Sequence, residues 1–204
     1  MCHTLLTKFC NQMRLCHDLK RLSTVRTLHI TYTYQQQKPQ PQQPILNIFD
    51  RKAKKLQRER AALLENVQTY DYLKDEVGYR LSDRIFDIKK KFNKALNLGC
   101  GRGYVSKHVA SDSVEELILS DNSELLLSQA KCDDSKVKIE KVVCDEEHLT
   151  EIFKPDSLDL VISNLALHWV NELPICFEQV MKILKSDGVF LASVFGGDTL
   201  FELR

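Results

Sequence analysis

Along the chain the hydrophobic period changes once, and the change divides the folded part. Leu73, Val77, Leu81 and Ile85 recur every four residues and lay one apolar stripe along a helix. Before them, residues 51–66 are highly charged and contain no glycine or proline, which favours a further helix. After them come short apolar runs at 94–98, 116–120, 137–143, 158–163 and 189–195, which predict five strands. Between the runs, segments 104–111, 123–131, 146–153 and 173–184 are compatible with helix, and Pro174 suits a first helical turn. Residues 185–188 read as the turn into the fifth strand. Strand–helix alternation at this spacing predicts the α/β class, with a doubly wound, mostly parallel sheet covered on both faces.

The first 44 residues follow neither pattern. Lys8, Arg14, Lys20, Arg21, Arg26 and Lys38 face a single acid, Asp18, among frequent threonines and serines. Basic, hydroxyl-rich and acid-poor is the composition of a mitochondrial transit peptide, and no apolar secretory core is present. Glutamine- and proline-rich residues 35–44 read as linker. The expected organisation is therefore a transit peptide and linker over 1–44, a helical segment over 45–90 and an α/β domain over 91–204, in the mitochondrial matrix.

Charge and cysteines narrow the field. Twenty-nine basic residues against 28 acidic ones give a net charge of +1, no basis for bulk nucleic-acid binding. Seven cysteines, an odd count without a Cys-x-x-Cys pair, argue against a disulfide framework or zinc ribbon, and no metal site is expected. Arg51, Lys52, Lys54, Lys55, Arg58 and Arg60 crowd one predicted helix. Such a face is ordinarily solvated, but it can also dock on anionic lipid or an acidic partner.

Candidate chemistry gathers at strand ends. The first predicted strand runs into Asn97-Leu98-Gly99-Cys100-Gly101-Arg102-Gly103. Alternate glycines at a strand-to-helix junction let the backbone turn sharply and approach a ligand. The third glycine comes one residue too early for the dinucleotide fingerprint G-x-G-x-x-G, because Tyr104 fills that position. This spacing disfavours a pyrophosphate and suits a ligand whose amino-acid portion lies against the loop. Asp121, beside Asn122, ends the second strand roughly 20 residues on, where an acid can accept hydrogen bonds from both ribose hydroxyls. Asp145 ends the third strand, facing an adenine amino group or capping a helix. Asn164 and His168, at the end of the fourth, are the polar candidates for the reaction floor, with Trp169 as a wall. No Asn-Pro-Pro-Tyr is present, which disfavours nucleobase-amine methylation.

The glycine loop, Asp121, the 159–170 run and residues 184–195 resemble the class I S-adenosylmethionine-dependent methyltransferases, including the malonyl-carrier methyltransferases. Leu46-Asn47-Ile48-Phe49-Asp50-Arg51, Asp71-Tyr72-Leu73-Lys74, Leu167-His168-Trp169-Val170-Asn171-Glu172-Leu173-Pro174 and Phe195-Gly196-Gly197-Asp198-Thr199-Leu200 resemble more specifically the mitochondrial complex I assembly factor 5 family. The resemblance implies a Rossmann-like class I fold and S-adenosyl-L-methionine as cofactor. It implies a cofactor set of Asn97, Gly99, Cys100, Gly101, Gly103, Asp121, Asn122, Asp145 and Asn164. It also implies hydroxylation of an arginine on an iron–sulfur subunit of respiratory complex I, with assembly intermediates as partners and peripheral association with the inner membrane. The residues themselves leave open a conventional methyltransferase of a small molecule or carrier-bound acid, and a non-catalytic assembly chaperone.

Two departures from the family pattern stand out. Asn97 occupies the place of an acid that helps hold the cofactor's amino group. The fold also normally continues beyond the fifth strand. The expectation is accordingly a C-terminally truncated, inactive domain whose fifth strand, 189–195, is an open edge.

Overall fold

The computed structural model describes Cys2–Leu5, residues 47–197 and Thr199. Most of the expected transit segment and linker lies outside the described residues. Strands β1 (Cys2–Leu5), β2 (Phe92–Leu98), β3 (Val114–Asp121), β4 (Lys138–Val143), β5 (Leu158–Asn164) and β6 (Leu184–Phe195) form one sheet in the order β1-β6-β5-β2-β3-β4. The five strands β2 to β6 are parallel to one another. Order reverses at β2, which lies between β3 and β5, so the crevice beyond its carboxyl end is the natural ligand site.

Alternation along the central strands assigns each side chain to one of two cores. Leu117 and Leu119 of β3, with Leu160 and Ile162 of β5, pack with Leu81 and Ile85 of helix α3 (Tyr72–Asp87). Ile118 and Val161 face the other way and meet Val180 and Ile183 of α5 (Leu173–Ile183). Both faces are thereby covered, as a parallel sheet requires. At the outer edge, β4 presents Lys138, Glu140 and Lys141, charges that discourage strand addition.

Helix α1 (Arg51–Ala62) is capped by Asp50, whose Oδ1 accepts from the Ala53 amide at 3.0 Å. It ends before the expected 66, and a short α2 (Val67–Tyr70) leads into α3. Within the expected stripe, Val77, Leu81 and Ile85 are buried while Leu73 stays exposed. Helix α4 (Glu124–Gln129) is capped by Ser123.

Three expected features take another form. Segment 104–111 forms only turns and a short 3-10 stretch, Ser106–His108, because the Ser111 amide donates to Asp134 Oδ2 instead of continuing a helix. Segment 146–153 retains only Leu149–Glu151. There the Glu147 amide donates to Asp145 Oδ1 and the Thr150 amide to Gln179 Oε1, so side chains take the donors a helix would use. Residues 185–188 belong to β6, absorbed as an irregularity between the Leu158–Leu184 and Leu160–Val189 pairings.

The open edge expected at 189–195 is also corrected. Strand β1 pairs antiparallel with β6, from Cys2 opposite Phe195 to Leu5 opposite Ala192. The added strand satisfies backbone groups along the second half of that edge.

Candidate cofactor site

Strand β2 stops at Leu98 because the chain turns through Gly99, Gly101 and Gly103, all at positive φ (65°, 56° and 86°). At Gly99 the constraint is also spatial: a Cβ would lie 2.5 Å from Cβ of Ala166 and 3.0 Å from Oε1 of Glu146. The loop is fixed by two bonds to β3. Cys100 N–H donates to the Ser120 carbonyl at 2.8 Å, and Gly101 N–H donates to Asp121 Oδ2 at 2.9 Å.

Asp121 is fully buried. Its Oδ1 accepts from the Ser123 amide at 3.0 Å, and its Oδ2 also accepts from Arg58 Nη2 at 2.6 Å. The other arm of that guanidinium reaches Asn122 Oδ1 at 3.3 Å. At the end of β4, Asp145 Oδ1 accepts from Arg51 Nη2 at 2.6 Å, and the same nitrogen bonds Glu146. Burial lifts the Glu146 carboxyl above the usual carboxylate range, although Arg51 pulls it back.

Asn97, on β2 beneath the loop, is buried with both amide atoms lacking a protein partner. An unsatisfied buried amide costs about 1–3 kcal/mol, so its partners are a bound water or a polar ligand group. Cys100 is buried, its thiol driven far above its ordinary value chiefly by burial. It contributes backbone to the loop.

Asn164 is committed on both sides: Nδ2 donates to the Lys74 carbonyl at 3.0 Å, and Oδ1 accepts from Ser193 Oγ at 2.8 Å. His168 lies between Trp169 and Phe195, each ring 5.0 Å away, and its Nδ1 has no partner. Burial, then Lys54 and Lys74, hold this imidazole below its ordinary pKa of 6.5, so it is neutral at pH 7. A cleft of about 220 Å³ joins Gly99, Gly101 and Asn164 to His168, Trp169 and Phe195, and Lys54 and Lys74 also line it.

The structure thus gathers Gly99, Gly101, Asn122, Asn164 and His168 around one cleft, and Asp145 with Asn122 around a second space beside it, while Asp121 is buried and lines neither. Gly103 stands further back, where a Cβ would meet the Lys131 backbone at 2.8 Å. Sequence reasoning missed Arg51, Arg58 and Glu146. The available signal was spacing: 51, 54 and 58 follow i, i+3, i+7 and share one face of α1. That face is turned onto the chain's own acids rather than to solvent.

Asp71 was also missed as a support residue. Its carboxylate accepts from Arg102 at 2.6 Å and from the Tyr104 hydroxyl at 2.9 Å, tying the start of α3 to the glycine loop. Among the described residues no group of three or more His, Cys, Asp or Glu is placed to hold a metal, and no helix is long and apolar enough to cross a membrane.

Parallel strands in this order, with a triple-glycine turn at the reversal point and a buried acid on the next strand, define a class I methyltransferase fold. Residues 96–192 match the model of the family described as methyltransferase domain. Among individual proteins, the chain is 45% identical over 159 residues to the human protein named arginine-hydroxylase NDUFAF5, mitochondrial, covering 78% of this chain and 45% of that protein. It is 30% identical over 165 residues to the malonyl-[acyl-carrier protein] O-methyltransferase of Gallionella capsiferriformans (strain ES-2), covering 77% and 56%. A chain from the complex of the Haloferax volcanii Trm112 methyltransferase activator with a methyltransferase superposes with a TM-score of 0.58 at 20% identity, over 67% of this chain and 59% of that one, a likeness of fold. The chain spans about half the length of the curated relatives it matches.

Proposed function

We propose that this chain binds S-adenosyl-L-methionine and serves, in mitochondria, the assembly of respiratory complex I by hydroxylating an arginine of an iron–sulfur subunit. The observation that carries the cofactor is the bond from Gly101 N–H to the buried Asp121, which sets a turn whose glycine spacing disfavours a pyrophosphate against an acid suited to a ribose diol. The unpartnered amide of Asn97 fits the cofactor's ammonium through its Oδ1. Gly99 and Gly101 line the cleft that would take the amino-acid portion, and Asn122 and Asp145 stand beside the space for adenine. When bound, the cofactor would supply a sulfonium-activated methyl group, the chemistry of methyl transfer, whereas hydroxylation would take its oxygen atom from dioxygen, with two electrons and two protons from a separate reductant releasing the second oxygen as water.

The arginine-directed activity is supported by 45% identity to the human relative so named. The mitochondrial destination is supported by the relatives' names and by the acid-poor composition of residues 1–44. Mass spectrometry of the iron–sulfur subunits isolated with and without the protein tests the activity. A gain of one oxygen on an arginine is expected, and an unmodified arginine in both samples contradicts it.

A second reading is methylation of a carboxylate on a carrier-bound acid. It is favoured by Lys54 and Lys74, which line the cleft and attract an anionic acceptor more readily than a guanidinium. Methyl-labelled cofactor separates the two, because methyl transfer alone moves the label to a product.

A further inference from the structure

Two arginines of the chain itself, Arg51 and Arg58, line the cofactor cleft. Arg51 and Arg58 share one face of α1 and reach down to Asp145, Glu146 and Asp121. On one side lies a space of about 500 Å³ bounded by Asn122, Asp145 and His148, and on the other the cleft of about 220 Å³ at the glycine loop. Arg51 and Asn122 line both.

We propose that Arg58 is an internal competitor for the cofactor's ribose, holding the site closed on Asp121 until the ligand displaces it. This rests on the cofactor reading above. The argument is one of acceptor capacity. A carboxylate offers about four lone-pair positions. In Asp121 three are taken, by the amides of Gly101 and Ser123 and by Arg58 Nη2. One remains, and a ribose diol needs two. The two amide bonds belong to the loop and to the start of α4, so neither can be given up without unmaking the site. The guanidinium arrives on a flexible side chain and can leave.

The helix carrying it is suited to such a role. Of the residues of α1 only Ala62 is buried. The rest of its attachment is polar: Arg51 and Arg58 on the acids, Glu59 accepting from Ser123 Oγ at 2.7 Å, and the Lys54 ammonium over the Trp169 ring at 3.2 Å. Little apolar area resists its shifting, because burial is the main non-directional force holding a helix to a core. With Arg58 displaced, its charge is free to turn toward solvent, since the side chain is already 27% exposed.

Titrate the unaltered chain and R58M with S-adenosylhomocysteine, after confirming equal melting temperatures. The expected result is binding about tenfold tighter in R58M, the factor that about 1.4 kcal/mol of removed competition produces. Equal or weaker binding in R58M, with the unaltered chain binding normally, overturns the competitor and leaves the cofactor reading intact. No binding by either chain removes both. Should R58M fold poorly, arginine side-chain nitrogen resonances of the unaltered protein decide the matter. The Arg58 Nη signals, separate while the bridge restrains rotation, are expected to merge on saturation with ligand. Signals that stay separate in the saturated protein overturn the proposal.

Discussion

Gly101 N and Asp121 Oδ2 lie 2.9 Å apart just past the carboxyl end of the β2–β3 ladder. One hydrogen bond thus makes the ligand-facing turn and the ligand-binding acid a single construction. The bond aims the carboxylate and at the same time fixes the loop at positive φ. Changes on either side are therefore expected to damage the same site.

A change outside the cleft should disturb the loop through packing alone. At Gly78 of α3, a Cβ would stand 2.4 Å from the Tyr104 carbonyl oxygen, which is backbone and cannot step aside. Gly78→Ala is therefore expected to lower stability by about 1–3 kcal/mol, in spite of alanine's better helix propensity. Denaturant unfolding measures this, and a variant at least as stable as the parent contradicts the close approach.

Asn97→Asp places an anion where the amide has no partner. A buried lone carboxylate is costly, so the free protein should melt at a lower temperature. An ammonium bound beside it gains a charge-assisted bond, so affinity for S-adenosylhomocysteine should rise by about 1–3 kcal/mol. A lower melting temperature without any gain in affinity would show that the ligand's amino group lies elsewhere.

The pH response of His168 has a definite sign. Burial, then Lys54 and Lys74, depress its folded-state pKa below the ordinary 6.5. The unfolded chain thus takes up a proton first as pH falls below about 6.5. The contribution to stability is complete above that value and is lost as pH drops toward the folded pKa. H168N should flatten the fall in melting temperature between about pH 7 and pH 5 relative to the parent. K54M should move the His168 titration upward in NMR spectra, and a titration unchanged by K54M rules out the proximity.

Residues 1–44 fused to a fluorescent reporter are expected to carry it into mitochondria, on the strength of six basic residues and one acid. A diffuse cytosolic signal removes the transit reading.

The sheet was legible because β-period apolar runs survive any packing detail. All five parallel strands overlap the apolar runs that announce them, four to within two residues at either end and the last, Leu184–Phe195, beginning five residues before its run. The glycine loop and Asp121 were legible for a similar reason, since special backbone and a strand-end acid are local properties. Helices 104–111 and 146–153 were not, because their fate is set by Asp134 and Gln179, partners far along the chain. Arg51 and Arg58 were hidden for the same cause. A basic run looks solvated until the fold brings Asp121 and Asp145 beneath it. The pairing of β1 with β6 joins opposite ends of the sequence, and no local pattern encodes it.

The central claim, an S-adenosyl cofactor held between the glycine loop and Asp121, is tested most directly by calorimetry with S-adenosylhomocysteine on the parent chain, D121A and G101V. The account predicts one site in the parent. In D121A affinity should fall by about 1–3 kcal/mol through loss of the ribose bonds. In G101V binding should vanish, because a branched side chain at φ 56° would press on the Tyr104 ring 2.9 Å from its Cβ. Equal affinity in all three proteins, or no heat from the folded parent, would contradict it.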